Sequence, residues 1–157
     1  MNTTPLIGFE HLRDKPKLLL DDQVKERTLQ AIHDFTHEEV YLYPNWDRVY
    51  SYDEFVEYIK THPMPALISF DHDLADVHKT ILPPEDEFEQ HEAWEAYHNQ
   101  PDHEKTGYDC MKWLVDYCFD NKIVFPRVLI HAQNTVGYDN IKYYYRNALR
   151  NKMIKLR

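Results

Sequence analysis

The sequence contains few cysteines, and their positions exclude an intrachain disulfide as a source of stability. Its 157 residues include two, Cys110 and Cys118. Both fall on one predicted helix, eight positions apart. That spacing corresponds to about 12 Å of axial rise, which is too far for a disulfide bond. Both belong to the predicted buried stripe of the helix, so we expect core residues and not nucleophiles.

A membrane span and a basic surface are also missing. No apolar stretch approaches the roughly 18 residues that a spanning helix needs, and residues 1–5 lack the charged-then-apolar layout of a signal peptide. A cytoplasmic protein without a membrane partner is therefore expected. Lys and Arg together number 18 against 27 Asp and Glu, for a formal net charge of -9. This balance argues against binding of long nucleic acid by a broad basic face.

The apolar runs that are present predict an α/β fold. Residues 16–20, 66–70 and 126–130 have the pattern of strands buried on both faces, and residues 46–50 alternate as a further strand. Helical patterns begin directly after Asp22, at the capping boxes of Ser51 and Thr106, and after Gly137. This alternation predicts a doubly wound parallel sheet of four to five strands with helices on both faces. Residues 153–156 are expected to add a short edge strand.

The length fits one domain, residues 1–157, that carries one insertion. Residues 75–105 are rich in Pro, Asp, Glu and His, and they are too numerous for an ordinary connection. We expect this acidic insertion after the third strand to be either a lid over the ligand site or a surface loop without a function.

Ionisable or polar residues follow each of the three buried strands. They are Asp21 and Asp22 after the first, Asp71, His72 and Asp73 after the next, and His131, Gln133 and Asn134 after the last. The carboxyl ends of parallel strands meet at one edge, where open α/β sheets bind ligands, so we expect these side chains to form one site. Free amides at the starts of the following helices, at Thr106 and Gly107 and from Asn134 to Gly137, are expected to bind an anion there.

Two chemistries fit this set of residues, and one of them uses a metal. In it, Asp21, Asp22 and Asp71 hold Mg²⁺ or Mn²⁺ through their oxygens. The metal neutralises a phosphate, while His72 or His131 moves protons. Carboxylate oxygens are the ligands that these hard cations prefer, which is why the acidic residues at the strand ends carry this hypothesis.

The other chemistry needs no metal. His72 and His131 act as a general base and a general acid on a phosphodiester, since an imidazole gains or loses its proton near neutral pH. Asp71 or Asp73 then orients one imidazole, and Gln133 or Asn134 holds a phosphoryl oxygen. The residues alone leave both chemistries open.

Five motifs together resemble the cyclic-phosphate-processing receiver-like domains. In chain order they are LLLDD at 18–22, WDRVYSYDEF at 46–55, SFDHDL at 69–74, TGYD at 106–109 and HAQN at 131–134, with Gly137 following. Their order and approximate spacing match the family from residue 16 to about residue 150. This resemblance implies a receiver-like (flavodoxin-like) three-layer fold, with an acidic pair after the first strand and an aspartate after the third.

The resemblance also implies a function. It suggests that the phosphoacceptor pocket of an ancestral receiver has turned toward nucleotides or RNA ends that bear a cyclic phosphate, with His72 and His131 as added catalytic groups. Ordinary phosphorelay signalling is disfavoured, because His131 stands where a signalling receiver would have Ser or Thr. The expected activity is therefore that of a hydrolase, a cyclic phosphodiesterase that acts in nucleotide or RNA processing.

A different class of function remains open beside the enzyme. The chain would then be a non-catalytic pocket that binds or sequesters a nucleotide, or a degenerate receiver that acts through protein contacts. The twelve tyrosines and the acidic balance would suit such a surface. A purely structural domain is disfavoured, since it leaves the three polar strand ends unexplained.

Overall fold

The computed structural model describes residues 8–22, 28–72, 74 and 105–156, and in these ranges four parallel strands form one sheet. The strands are β1 (Lys17–Leu20), β2 (Trp46–Val49), β3 (Leu67–Phe70) and β4 (Arg127–Ile130). Their order is β2-β1-β3-β4, with β1 paired to β2 and β3, and β3 paired to β4. The predicted parallel α/β sheet is confirmed.

Helices cover both faces of this sheet. They are α1 (Leu29–Thr36), α2 (Tyr52–Thr61), α3 (Gly107–Asn121) and α4 (Thr135–Arg150), and two short 3-10 segments span Glu10–Leu12 and Glu39–Leu42. Successive strand residues point to opposite faces. Leu18 and Leu20 therefore pack in a core with α2, α3 and α4, while Leu19 packs in a second core with α1 and the segment Glu39–Leu42. The arrangement is the predicted three-layer receiver-like fold.

The helix starts follow the predicted caps at Ser51 and Thr106, whereas α4 begins at Thr135, before the predicted start after Gly137. The Ser51 and Thr106 side chains accept the amides of Glu54 and Asp109, as expected. Thr106 and Asp109 form the full reciprocal box, whereas the Glu54 carboxylate bonds the Tyr50 amide at 2.7 Å.

The predicted start of the first helix is wrong. Thr28 has an extended backbone, and its hydroxyl accepts the Ala31 amide, so α1 begins at Leu29 and Asp22 does not cap it. The competing cap explains the difference, because a threonine side chain that accepts the third amide after it caps a helix at that position.

Two further predictions concern the edge strand near the C-terminus and the insertion. The predicted edge strand at residues 153–156 is reduced to one parallel bridge between Leu156 and Phe125. Apart from Lys105, the insertion at 75–105 includes only residues outside the described ranges.

Among the helices of the described residues, none has the length and apolar character of a membrane span.

A buried lysine stands at the start of β1. The Lys17 side chain is fully buried. Its Nζ donates to the carbonyl oxygens of Arg13, Lys15 and Pro44 at 2.7 to 2.8 Å. Burial lowers the pKa of Lys17, and the Asp14 carboxylate opposes this shift. The ammonium has three donors and they meet three backbone carbonyls, so backbone hydrogen bonds satisfy this charge at the amino edge of the sheet.

Candidate functional site at the carboxyl edge of the sheet

The strand register brings three ionisable residues to one level. Leu20 pairs with Phe70, and Phe70 pairs with Ile130. The residues that directly follow β1, β3 and β4 are Asp21, Asp71 and His131, and all three are buried. The Asp71 amide donates to the Leu20 carbonyl at 3.0 Å and the His131 amide to the Phe70 carbonyl at 2.9 Å, which extends the sheet into the site. The expectation that these strand ends share one edge is confirmed.

The Asp21 carboxylate lies between two basic side chains. Its Oδ2 is 2.9 Å from His131 Nε2, and both side chains are fully buried. Its Oδ1 is 3.5 Å from Arg48 Nη2, and Arg48 Nε also donates to the Asp21 backbone carbonyl at 3.3 Å. Arg48 belongs to β2, so the neighbouring strand supplies the cation that compensates a buried carboxylate. A buried charge without such partners would be costly.

Both ring nitrogens of His131 are engaged. Besides the contact with Asp21, His131 Nδ1 lies 2.7 Å from Ser69 Oγ. Ser69 Oγ in turn lies 2.6 Å from the Tyr41 hydroxyl. The Tyr41 ring also meets the imidazole edge to face, with centroids 6.1 Å apart. Burial raises the pKa of Tyr41, so its hydroxyl keeps its proton across the physiological range.

The Asp71–His72 segment is pressed against the first turns of two helices. Asp71 Oδ1 accepts the His72 amide at 2.8 Å, and the His72 carbonyl accepts the Gly107 amide at 2.9 Å. A Cβ added at Gly107 would overlap the Asp71 carbonyl, and one at Gly137 would overlap the His72 ring. Glycine is therefore needed at both positions for close approach, and His72 is only 3% exposed.

The predicted anion-binding amides of α3 are already used. The Thr106 amide donates to Asp109 Oδ2 at 2.8 Å, and the Gly107 amide donates to the His72 carbonyl. The expectation that these two amides are free to bind an anion is therefore wrong. The capping box takes one, and the packing of α3 against the strand end takes the other.

The remaining predicted residues have separate positions. Asn134 caps α4 by accepting the Gly137 amide at 3.0 Å, and Gln133 is exposed beside it. Asp22 is half-buried. Asp73 lies outside the described residues.

A divalent cation fits the donor atoms at this edge. One ligand atom each from Asp21, Asp71 and His131 lies within 4.8 Å of the others. Two carboxylates supply the hard oxygen ligands that Mg²⁺ and Mn²⁺ prefer. Asp22, predicted as a third carboxylate ligand, is not a member of this group.

Three residues of the site were not identified from the sequence. Ser69 interrupts an apolar strand, and this single polar residue is the signal that would have found it. Arg48 lies in the alternating strand directly after Asp47, and this pattern does not predict that Arg48 pairs with Asp21. Tyr41 had no sequence signal, because its role depends on a contact 28 positions away along the chain.

A second surface feature lies beside the site. A groove of about 460 Å³ runs along β4, and its wall includes Phe35, Tyr41, Ile130, Lys142 and Arg146. The groove combines apolar walls with two basic side chains, Lys142 and Arg146, and one acidic side chain, Glu38. Tyr41 belongs both to this wall and to the hydrogen-bonded chain that reaches Asp21.

The chain is also similar to a known family. The model of the family described as "Cyclic-phosphate processing Receiver domain" matches residues 16–147, most of the chain. The matched range includes all four strands and the buried residues Asp21, Asp71 and His131. No curated protein matches the chain, nor does any solved structure.

Proposed function

The chain belongs to the cyclic-phosphate processing receiver domain family, and from this premise we propose that it is a phosphoesterase that hydrolyses a cyclic phosphate on a nucleotide or an RNA terminus. The observation that carries the proposal is the buried group of Asp21, Asp71 and His131 at the carboxyl edge of the sheet. Ionisable groups gathered in this way at the ligand-binding edge of an α/β sheet are typical of an active site.

The reaction requires two proton transfers. A water oxygen attacks phosphorus, and one bond between phosphorus and a ring oxygen breaks. A base takes the proton of the water, and an acid protonates the departing ring oxygen, so the product is a phosphomonoester with a free hydroxyl. We assign one of these transfers to His72 and the other to a carboxyl group that flanks it in the sequence, that of Asp71 or Asp73. His131 acts indirectly, through its hydrogen bond to Asp21, because its two ring nitrogens are bonded to Asp21 and Ser69.

The carboxylates would hold a divalent cation. Asp21 and Asp71 are the proposed ligands for Mg²⁺ or Mn²⁺, and Asp22 is the predicted third. When bound, the cation would neutralise phosphate charge and polarise the phosphoryl group. Arg48, beside Asp21, lowers the negative charge that the phosphate meets on approach. Gln133 and Asn134 remain candidates for contact with a phosphoryl oxygen, from the loop that precedes α4.

Turnover of defined cyclic phosphates tests the proposal. The panel comprises 2',3'-cyclic AMP, 3',5'-cyclic AMP, a cyclic dinucleotide and an RNA that ends in a 2',3'-cyclic phosphate, each with Mg²⁺, with Mn²⁺ and with EDTA. We expect hydrolysis of at least one compound, its loss in Asp71→Asn, and no change in Asp34→Asn, whose carboxylate is exposed on α1. Loss with EDTA supports the metal, and survival with EDTA supports histidine chemistry alone. No hydrolysis of any member would contradict the proposal.

The groove along β4 favours a second candidate function. Its apolar wall and the cations Lys142 and Arg146 suit an acidic partner with apolar side chains, as expected of a degenerate receiver that acts through protein contacts. Tight binding of a nucleotide without turnover would instead favour the related sequestering role. If a protein partner binds the groove, Asp71→Asn should bind it as the parent protein does, because Asp71 does not line the groove.

A further inference from the structure

Four buried side chains form one continuous chain of hydrogen bonds. Tyr41 bonds Ser69 at 2.6 Å, Ser69 bonds His131 Nδ1 at 2.7 Å, and His131 Nε2 meets Asp21 at 2.9 Å. None of the four is more than 1% exposed. Water is therefore excluded from the chain, and each polar atom depends on its neighbour in it.

The positions of the protons show which group donates and which accepts in each of these hydrogen bonds. An ionised carboxylate only accepts, so the bond to Asp21 requires a proton on His131 Nε2. A neutral ring then accepts at Nδ1 from the Ser69 hydroxyl, which in turn accepts from Tyr41. Every hydroxyl hydrogen has an acceptor in this arrangement.

The opposite direction leaves a donor without an acceptor. If Nδ1 donated to Ser69 and Ser69 donated to Tyr41, the Tyr41 hydroxyl hydrogen would need a further acceptor. Among the residues that the structure describes, Ser69 is its one hydrogen-bond partner. Leaving a buried hydroxyl donor unsatisfied costs roughly 1 to 3 kcal/mol. The elevated pKa of Tyr41 agrees with a hydroxyl that stays protonated and donates.

We infer that Tyr41 and Ser69 are positioning residues that hold His131 as its Nε2–H tautomer, so that the imidazole donates to Asp21 and is not a ligand of a cation at this edge. A metal would need the lone pair that Nε2 has only when its proton is absent. The cation would then be held by carboxylates, with His131 acting behind Asp21 as a hydrogen-bond donor that orients it. The inference rests on the proposed function for its effect on activity, but the tautomer itself is measured independently.

Nitrogen-15 NMR of the imidazole distinguishes the two tautomers directly. Long-range proton–nitrogen spectra of the intact chain, labelled at histidine, would report which nitrogen of His131 carries the proton, with His131→Asn identifying its signals. We expect Nε2–H in the parent protein, before and after Mg²⁺ is added. Ser69→Ala should mix the tautomers, and Ser69→Thr should restore Nε2–H. Tyr41→Phe is a second variant should Ser69→Ala fail to fold.

The controls separate tautomer from fold and from function. Tyr58→Phe is the control, because it removes a tyrosine hydroxyl outside this network. The Tyr58 hydroxyl bonds the Asp47 carboxylate at 2.6 Å, and its loss should leave the His131 spectrum unchanged. If the proposed function holds, Ser69→Ala should also lower turnover roughly 10- to 100-fold. An Nδ1–H tautomer in the parent protein, a switch to it with Mg²⁺, or an unchanged spectrum in a folded Ser69→Ala would overturn the inference. Absence of turnover would contradict only the proposed function.

Discussion

The two ends of β1 each bury an ionisable side chain, and they satisfy it in different ways. Lys17 at the amino end and Asp21 just past the carboxyl end are both fully buried. The Lys17 ammonium is held by three backbone carbonyls. The Asp21 carboxylate is held by the side chains of His131 and Arg48, which come from beyond β4 and from β2.

This difference separates a charge held by the backbone from one held by side chains. Backbone carbonyls neither titrate nor change rotamer, so the acceptors around Lys17 are fixed and the site contributes to stability. The side chains around Asp21 carry titratable protons, so its hydrogen bonds depend on which nitrogen of His131 is protonated. Both sites avoid the cost of a buried unpaired charge, and the group of Asp21, Asp71 and His131 lies at the carboxyl edge.

Asp21→Asn should give the largest effect, and it should fall on activity. The amide oxygen can still accept from His131, so we expect little change in the free energy of unfolding. Turnover of the cyclic-phosphate substrate should fall about 100- to 1000-fold, because the charge at the reacting site is lost. Steady-state kinetics beside urea unfolding would measure both. A variant that loses stability but keeps its activity would place Asp21 with Lys17 as a structural charge.

Lys17→Met should show the opposite behaviour. Removing the ammonium leaves three carbonyls without their donor, so we expect a loss of about 3 kcal/mol in the free energy of unfolding. Turnover per folded molecule should not change, because Lys17 lies at the other edge of the sheet. Lys15→Met, at an exposed neighbouring lysine, is the matched control and should leave the urea midpoint in place. Lost activity in folded Lys17→Met would remove the distinction between the two edges.

Gly137→Ala tests the packing that supports the carboxyl edge. Alanine favours a helix over glycine by about 1 kcal/mol, but its Cβ would overlap the His72 ring. Overpacking of this kind costs roughly 1 to 3 kcal/mol, so we expect a net loss of stability together with displaced His72 and lower turnover. Thermal unfolding of this variant should be compared with Thr135→Ala, an exposed change in the same turn. A Gly137→Ala variant that is more stable than the parent protein would mean that the His72 ring can move away from the new Cβ at little cost.

The smallest expected effect is a pH dependence at the amino edge. Because the pKa of Lys17 is lowered in the folded chain, the unfolded chain binds more protons between the folded and the ordinary lysine values. The free energy of unfolding of the parent protein should therefore rise, relative to Lys17→Met, as the pH increases through that alkaline window. Below the folded pKa the difference between the two proteins should be constant. Urea titrations at several pH values across the window measure this difference in the free energy of unfolding. A difference that does not change with pH would mean that burial does not lower the pKa of Lys17.

Most of the fold was predictable because it depends on local patterns. Runs such as Leu67–Phe70 indicate buried strands, and the Ser51 and Thr106 caps mark two helix starts within one residue of the observed ones. The first helix start failed because two caps, Asp22 and Thr28, compete in one short stretch. The predicted edge strand at 153–156 failed because strand formation needs a partner over several residues, and one bridge to Phe125 is all that the described residues provide.

The site was predictable in three of its members, whereas Tyr41, Arg48 and Ser69 and the bonds of the site were not. Parallel strand ends share an edge by geometry, so Asp21, Asp71 and His131 were expected together. The free amides expected at Thr106 and Gly107 were not found, because close packing of α3 uses them. Gly107 and Gly137 allow the backbone and a ring to approach, which a sequence pattern does not distinguish from an anion site.

The sequence by itself determined the elements, their parallel order and the residues at the carboxyl edge, since periodicity and strand ends are local properties. Only the tertiary structure decided which atoms those residues bond. The bond between His131 and Asp21 joins residues 110 positions apart, and the bond between Ser69 and His131 joins residues 62 positions apart. Such contacts arise when the register of the sheet closes, and the tautomer that we infer for His131 depends on them.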